Sequence, residues 1–206
     1  LPRMKKTLLN DFKARRQSHL PYTKDEIVRY FYSIVSGLGY LHSKKIYHGD
    51  IKPDNLLLDE YGNLRIADVG LAKYAEDEDL YQHLSGQTGT YRYSAPEIMG
   101  KDGVTKARLP KADIWSLGLV ILELCLFEED FFLNALSPGQ EIQRTVERLL
   151  ESIQQKFKGS LASLIQRILN LNPQERPEIE EIKNELERNF SDILVKVFRL
   201  CFLMEY

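Results

Sequence analysis

The run from Ile114 to Phe127 limits the fold more than any other part of this sequence. Ile114, Trp115, Leu117, Leu119, Val120, Ile121, Leu122 and Leu124 fall on every side of a helix. A helix that is apolar all round has no face to give to water, so it belongs at the centre of a fold. Asp113 is expected to cap it. Other elements must wrap around it, and the sequence supplies candidates. Thr23-Lys24-Asp25-Glu26 is a capping box, in which a hydroxyl and a carboxylate satisfy each other's backbone amides. Ile27, Phe31, Ile34, Leu38 and Leu41 then form an apolar stripe at helical spacing. Amphipathic helices are expected at about 139–157, at Leu161–Leu169 and at Glu178–Asn189, with Gly159-Ser160 and Asn172-Pro173 between them. Leu56-Leu57-Leu58 and then Leu64 and Ile66 flank the turn residues Asp59–Asn63, the signature of a small hairpin. The expected fold class is mostly α with a small β element.

Composition narrows the function. The chain has 206 residues and a formal net charge of −2, which suits one globular domain and gives no basis for nucleic acid as a partner. Cys125 and Cys201 lie in apolar stretches without metal-ligand spacing. They read as buried thiols in a reducing compartment, with the cytoplasm as the default location. The opening Leu1–Lys6 has no apolar core of a secretion signal, and residue 1 is not methionine, so a piece of a longer chain is expected. Residues 190–206 are the most hydrophobic stretch, but Asp192, Lys196, Arg199 and Glu205 interrupt it. It is too short and too charged for a span of about 20 apolar residues. A packing helix is expected there, with partner contact through the tail as the alternative if it is exposed.

The chemistry concentrates in His48-Gly49-Asp50-Ile51-Lys52-Pro53-Asp54-Asn55. Phosphoryl transfer needs a carboxylate to orient an attacking hydroxyl, a cation near the transferred group and oxygen ligands for Mg²⁺. Asp50, Lys52 and Asn55 bring those groups onto one short loop. Asp68-Val69-Gly70 follows Asn55 by thirteen residues, and hard Mg²⁺ takes oxygen ligands, so Asn55 and Asp68 are the candidate metal residues. Loop-like composition then runs from Asp68 to Glu97, and a loop of that length in a compact domain is usually functional.

In this order and spacing the chain resembles the eukaryotic-type protein kinase family, in its serine/threonine form. The catalytic loop is followed by Asp68-Val69-Gly70, then by Gly89–Glu97, Asp113–Gly118 and Arg176-Pro177. The resemblance implies a kinase-like fold in which residues 1–189 form the C-terminal, larger lobe. Residues 48–55 would be its catalytic loop, 68–97 its activation segment and 190–206 a separate tail. It also implies ATP and Mg²⁺ as cofactors, and a protein substrate with a serine or threonine acceptor. By the same resemblance Asp50 would be the catalytic base and Lys52 the contact to the γ-phosphate. Asn55 and Asp68 would hold the metal, and Leu57 would pack beneath adenine. Thr90 would bridge Asp50 and Lys52. Gly86, Gln87, Thr88, Gly89 and Thr90 would lie along the peptide, with Asp54 either favouring basic peptides or merely solvated. His48 would support the loop, Asp113 would anchor its backbone, and Glu97 would pair with Arg176.

The sequence departs from that family at three places. Gly49 stands where an arginine usually pairs with a phosphorylated activation-segment residue, so weak dependence on phosphorylation at Ser85 or Thr88 is expected. Val69 replaces a phenylalanine whose packing helps set active and inactive states. No glycine-rich loop, strand-borne lysine or partnering glutamate precedes Thr23. Half of the ATP cleft, and little activity, is therefore expected of this chain alone. Two rival functions follow. A small-molecule phosphotransferase shares the His-Gly-Asp-x-x-x-x-Asn pattern, but Lys52 and the downstream segments weigh against it. The other rival is an inactive lobe acting as a scaffold. The acidic run Glu76–Asp79 reads as a solvated face.

Overall fold

The computed structural model describes residues 3–74, 79–83, 91–98, 104–127 and 142–196. A helix α3, Leu109–Leu126, runs through the centre, and every residue in it except Leu126 is buried. It starts five residues before Ile114. Asp113 is therefore an interior residue, not the expected cap. Pro110 fits because the first turn of a helix has no amide bonds for it to break. Gly118 lets α3 meet its neighbour closely: a Cβ there would lie 2.5 Å from Ile168 Cγ2 and 2.8 Å from Leu169 Cδ2.

The shell forms largely where the apolar periodicity put it. The helix α1 covers Leu8–Gln17 and α2 covers Lys24–Ser43, opened by the reciprocal Thr23–Glu26 box. Ile27, Phe31, Ile34 and Leu38 face the core. After α3 come α4 (Ile142–Lys156), α5 (Ser160–Ile168) and α6 (Ile179–Asn189). Glu178 caps α6 and Glu181 answers it. Residues 139–141 lie outside the described residues. A short helix over 191–196 follows α6. It buries Leu194, while Phe190 just before it is also buried and lies under the Lys24 ammonium, 5.4 Å from the ring centre. The rest of the tail, 197–206, lies outside the described residues.

A three-stranded antiparallel sheet sits beside α2. Its strands are β1 (Met4–Thr7), β3 (Leu56–Asp59) and β4 (Leu64–Ile66), in the order β1-β3-β4. The expected hairpin is β3–β4. The Asp59 carboxylate closes its turn by accepting the amides of Tyr61 and Asn63 at 3.0 and 2.8 Å. The strand β1 was not expected from the sequence. Two smaller antiparallel pairs join β2 (Ile46–Tyr47) to β5 (Lys73–Tyr74), and β6 (Asp79–His83) to β7 (Val104–Arg108).

Asp11 ties α1 to α2. It accepts the Tyr22 hydroxyl at 2.8 Å and pairs with Lys6 at 2.7 Å and Arg15 at 3.1 Å, and Arg15 reaches on to Glu26. Burial by itself would raise the Asp11 pKa, but the bonds from Lys6 and Tyr22 outweigh it and hold the carboxyl below its ordinary value. Cys125 is a free, buried thiol, pushed up to about 12 by burial against a smaller opposing effect of Lys156. Cys201 lies outside the described residues. Among the described residues no helix is long and apolar enough to cross a membrane.

Candidate active site

The chain leaves α2, turns at Lys45 with a positive φ of 58°, and passes through β2 into residues 48–55. This loop hangs from α3. Asp113 is 1% exposed, and its two oxygens take the backbone amides of His48 (2.9 Å) and Gly49 (2.8 Å). The Nε2 of His42, in the last turn of α2, also reaches Asp113 Oδ2 at 2.9 Å. One buried carboxylate thus collects three partners, which is how a buried charge escapes its desolvation cost. Gly49 has φ +73°, and a Cβ there would meet only the Leu71 carbonyl oxygen at an ordinary 3.7 Å, so backbone conformation is what favours glycine there.

His48 is fully buried. Its Nδ1 lies 3.2 Å from the Asp50 amide and so must accept. The ring proton therefore sits on Nε2, which donates to the Ala67 carbonyl at 3.0 Å. The imidazole links the loop to the residue just before Asp68.

Asp50 and Lys52 form an ion pair at 2.7 Å. Asn55 Nδ2 donates both to Asp50 Oδ2 at 2.8 Å and to the Asp50 carbonyl at 2.9 Å. With the amide nitrogen committed to two acceptors, Asn55 Oδ1 keeps its lone pairs for a cation. The Ala67 amide bonds to the Asn55 carbonyl at 2.9 Å, which brings Asp68 alongside the loop. Asp68 is exposed, has a left-handed backbone (φ 59°, ψ 69°), and its carboxylate accepts the Gly70 amide. Val69 and Leu71 beside it are 57% and 47% exposed. Leu57 is half-buried on β3, paired between Thr7 and Arg65. Asp54 is exposed. Ser85, Gly86, Gln87, Thr88, Gly89 and Thr90 lie outside the described residues.

Glu97 and Arg176 meet in a two-pronged pair at 2.6 and 2.8 Å. The guanidinium also bonds the carbonyls of Asn170 and Lys111 and lies 4.8 Å from the Trp115 ring centre. All of its side chain is buried, and four of its five N–H donors are used in these bonds. Sequence reasoning missed two residues here. Lys111, 3% exposed, gives its ammonium to the Arg176 carbonyl and to Glu178. His42 supports Asp113, although a histidine at a helix end carries no local signal of such a role. Tyr93 and Glu123 form another buried pair at 2.5 Å. Burial raises the Glu123 pKa above its ordinary value, with the Tyr93 bond opposing.

The donor set suits a hard cation. Asp68 offers a carboxylate and Asn55 a free amide oxygen. Among the described residues no cluster of three His, Cys, Asp or Glu exists, and Mg²⁺ needs none where one or two protein oxygens work with substrate phosphates.

Residues 2–186 match the protein kinase domain family. The chain belongs to the protein kinase family. It is 34% identical over 173 residues to CBL-interacting protein kinase 26 of Oryza sativa subsp. japonica, covering 84% of this chain and 34% of that protein. It is 38% identical over 166 residues to CBL-interacting serine/threonine-protein kinase 20 of Arabidopsis thaliana, covering 77% of this chain and 35% of that one. The kinase chain thus spans about a third of the length of the curated relatives it matches.

Proposed function

We propose that this chain is the catalytic and substrate-side lobe of a kinase that moves the γ-phosphoryl group of ATP, with Mg²⁺, to serine or threonine hydroxyls of proteins. The observation that carries the reading is the Asp50–Lys52–Asn55 cluster, held on a loop tied to the buried Asp113. Asp50 would orient the acceptor hydroxyl and take its proton. Asn55 keeps the Asp50 carboxylate turned into the site. Lys52 would offset charge on the transferred group. Asn55 and Asp68 would hold the metal, which when bound supplies charge neutralisation at the phosphates. Thr90, Leu57 and residues 86–89 keep their family roles as part of the same proposal, with residues 1–189 as the lobe. Membership in the protein kinase family favours a protein acceptor over a small amine or sugar. The relatives are named for interacting with CBL, and a protein partner for this chain belongs to the same reading.

The test is phosphate transfer from Mg·ATP to a basic test protein, by the chain in its natural full-length context. Asp50→Asn keeps the shape and removes the base, and the expected loss in kcat is about 10²–10⁴-fold. A rate unchanged by that substitution would sink the reading. Gly49 leaves no cationic side chain to greet an activation-segment phosphate. The joint Ser85→Ala and Thr88→Ala variant is therefore expected to keep most of the activity, as measured by the same assay.

A further inference from the structure

Between Asp68 and Arg108 the chain is fastened to the core in several places. Near the start, β5 pairs with β2, the strand that leads into residues 48–55. Further on, β6 pairs antiparallel with β7 over five residues, with Asp79 opposite Arg108, Tyr81 opposite Lys106 and His83 opposite Val104. The Ser116 hydroxyl of α3 then donates to the Tyr93 carbonyl at 2.8 Å, and Tyr93 gives its own hydroxyl to Glu123 on the same helix. Glu97 is held by Arg176. None of these attachments uses position 49. The β6–β7 ladder is the longer of the two strand pairings, yet a two-stranded ladder by itself is marginal in water. Here one strand arrives already placed. Arg108 is followed at once by Leu109, the first residue of α3, so β7 extends the buried central helix. Pairing then has to order β6 alone, which lowers the conformational entropy it must overcome.

We propose that the β6–β7 ladder is a phosphate-independent latch, which fixes the activation segment at Asp79–His83 by backbone pairing instead of by a phosphate held at position 49. The inference rests on the kinase reading above. Gly49 has no side chain with which to grip a phosphate, so ordering by a charge-assisted bond is closed to that position. Strand pairing needs neither charge nor modification. It asks only that the amides and carbonyls of two segments meet in register. The two strands flank Tyr91–Ile98 in sequence, so closing the ladder draws together the two ends of the stretch that carries Tyr93 and Glu97. Asp113 lies on the same helix five residues beyond Arg108, and it holds the amides of His48 and Gly49. The latch and the loop of residues 48–55 therefore hang from one rod.

The test uses the chain in its natural full-length context, stripped of phosphate by a broad-specificity phosphatase. Leu80→Cys with Ala107→Cys puts two thiols at opposite positions of the ladder, and Leu80→Cys with Val104→Cys puts them three residues out of register. The single-cysteine variants set the background. A disulfide needs its Cα atoms within about 7 Å, so under mild oxidation the in-register pair is expected to close about tenfold faster or more. The locked protein is expected to keep the parent's rate of phosphate transfer. Successive amides of a strand alternate in direction, so the joint Leu80→Pro and Tyr81→Pro variant removes one that faces β7. It is expected to speed amide exchange at residues 105–107 by about tenfold and to slow transfer. An in-register pair that closes no faster than the other, or does so only in phosphorylated protein, overturns the proposal. A locked protein that has lost transfer also overturns it, as does faster exchange in the proline variant with transfer intact. A parent that transfers no phosphate sinks the kinase reading instead. Cross-linking and exchange then decide by themselves whether the ladder forms without phosphate.

Discussion

Asn55 and Asp68, the two candidate metal residues, are held in opposite ways. Asn55 is 7% exposed, its amide nitrogen makes two bonds to Asp50, and its loop hangs from a carboxylate in the central helix. Asp68 is exposed, stands in a left-handed conformation, and takes one bond from its near neighbour Gly70. Beside it, Val69 and Leu71 turn large apolar surfaces outward. The difference teaches that the two halves of the site draw their order from different sources. The loop of residues 48–55 is positioned by the folding of the core. The Asp68 segment is positioned by local turn geometry, so its place depends far more on what comes to lie over it.

Asp113→Ala breaks that contrast most severely. It leaves two backbone amides of the loop and the His42 ring without their acceptor, at a cost of about 3 kcal/mol or more. In a chain of this size that lowers Tm by roughly 10 °C, readable by calorimetry. A fall of only a degree or two would mean the loop does not depend on the core. Gly49→Ala is milder. With no atom crowding the new Cβ, the change costs about 1 kcal/mol from the positive φ alone, and the same melting experiment should show a fall of a few degrees. Asp68→Asn is the smallest for stability. Asparagine accepts a left-handed backbone, so stability should stay within about 0.5 kcal/mol of the parent. The Mg²⁺ concentration needed for phosphate transfer should rise. A marked loss of Tm in this variant would erase the distinction between the two halves.

The legible parts of the fold were those written in local periodicity. The Thr23 capping box, the α2 stripe and the turn after Asp59 each declare themselves within a few residues. The strand β1 did not, because Met4–Thr7 carries no alternating pattern and becomes a strand by pairing with residues fifty or more positions away. The start of α3 was misplaced for a different reason. Asp113 looks like a cap to anyone reading neighbours in sequence, yet its carboxylate is engaged by amides from another element. Lys111 went unread for the same reason, since its partners, Glu178 and the Arg176 carbonyl, lie far along the chain. The Asp50, Lys52 and Asn55 cluster was legible because its members share one short loop. The part of His42 was not, since the partner it serves is 71 residues distant.

The close seam at Gly118 has a bearing on chemistry as well as packing. Asp113 rides on the same rigid rod five residues away, so a bulge forced at that seam becomes a displacement of the carboxylate from which the loop is suspended. In mechanical terms α3 is a lever. Its pivot lies against Ile168 and Leu169, its short arm ends at the site, and the precision of the loop is borrowed from a contact that never touches a substrate.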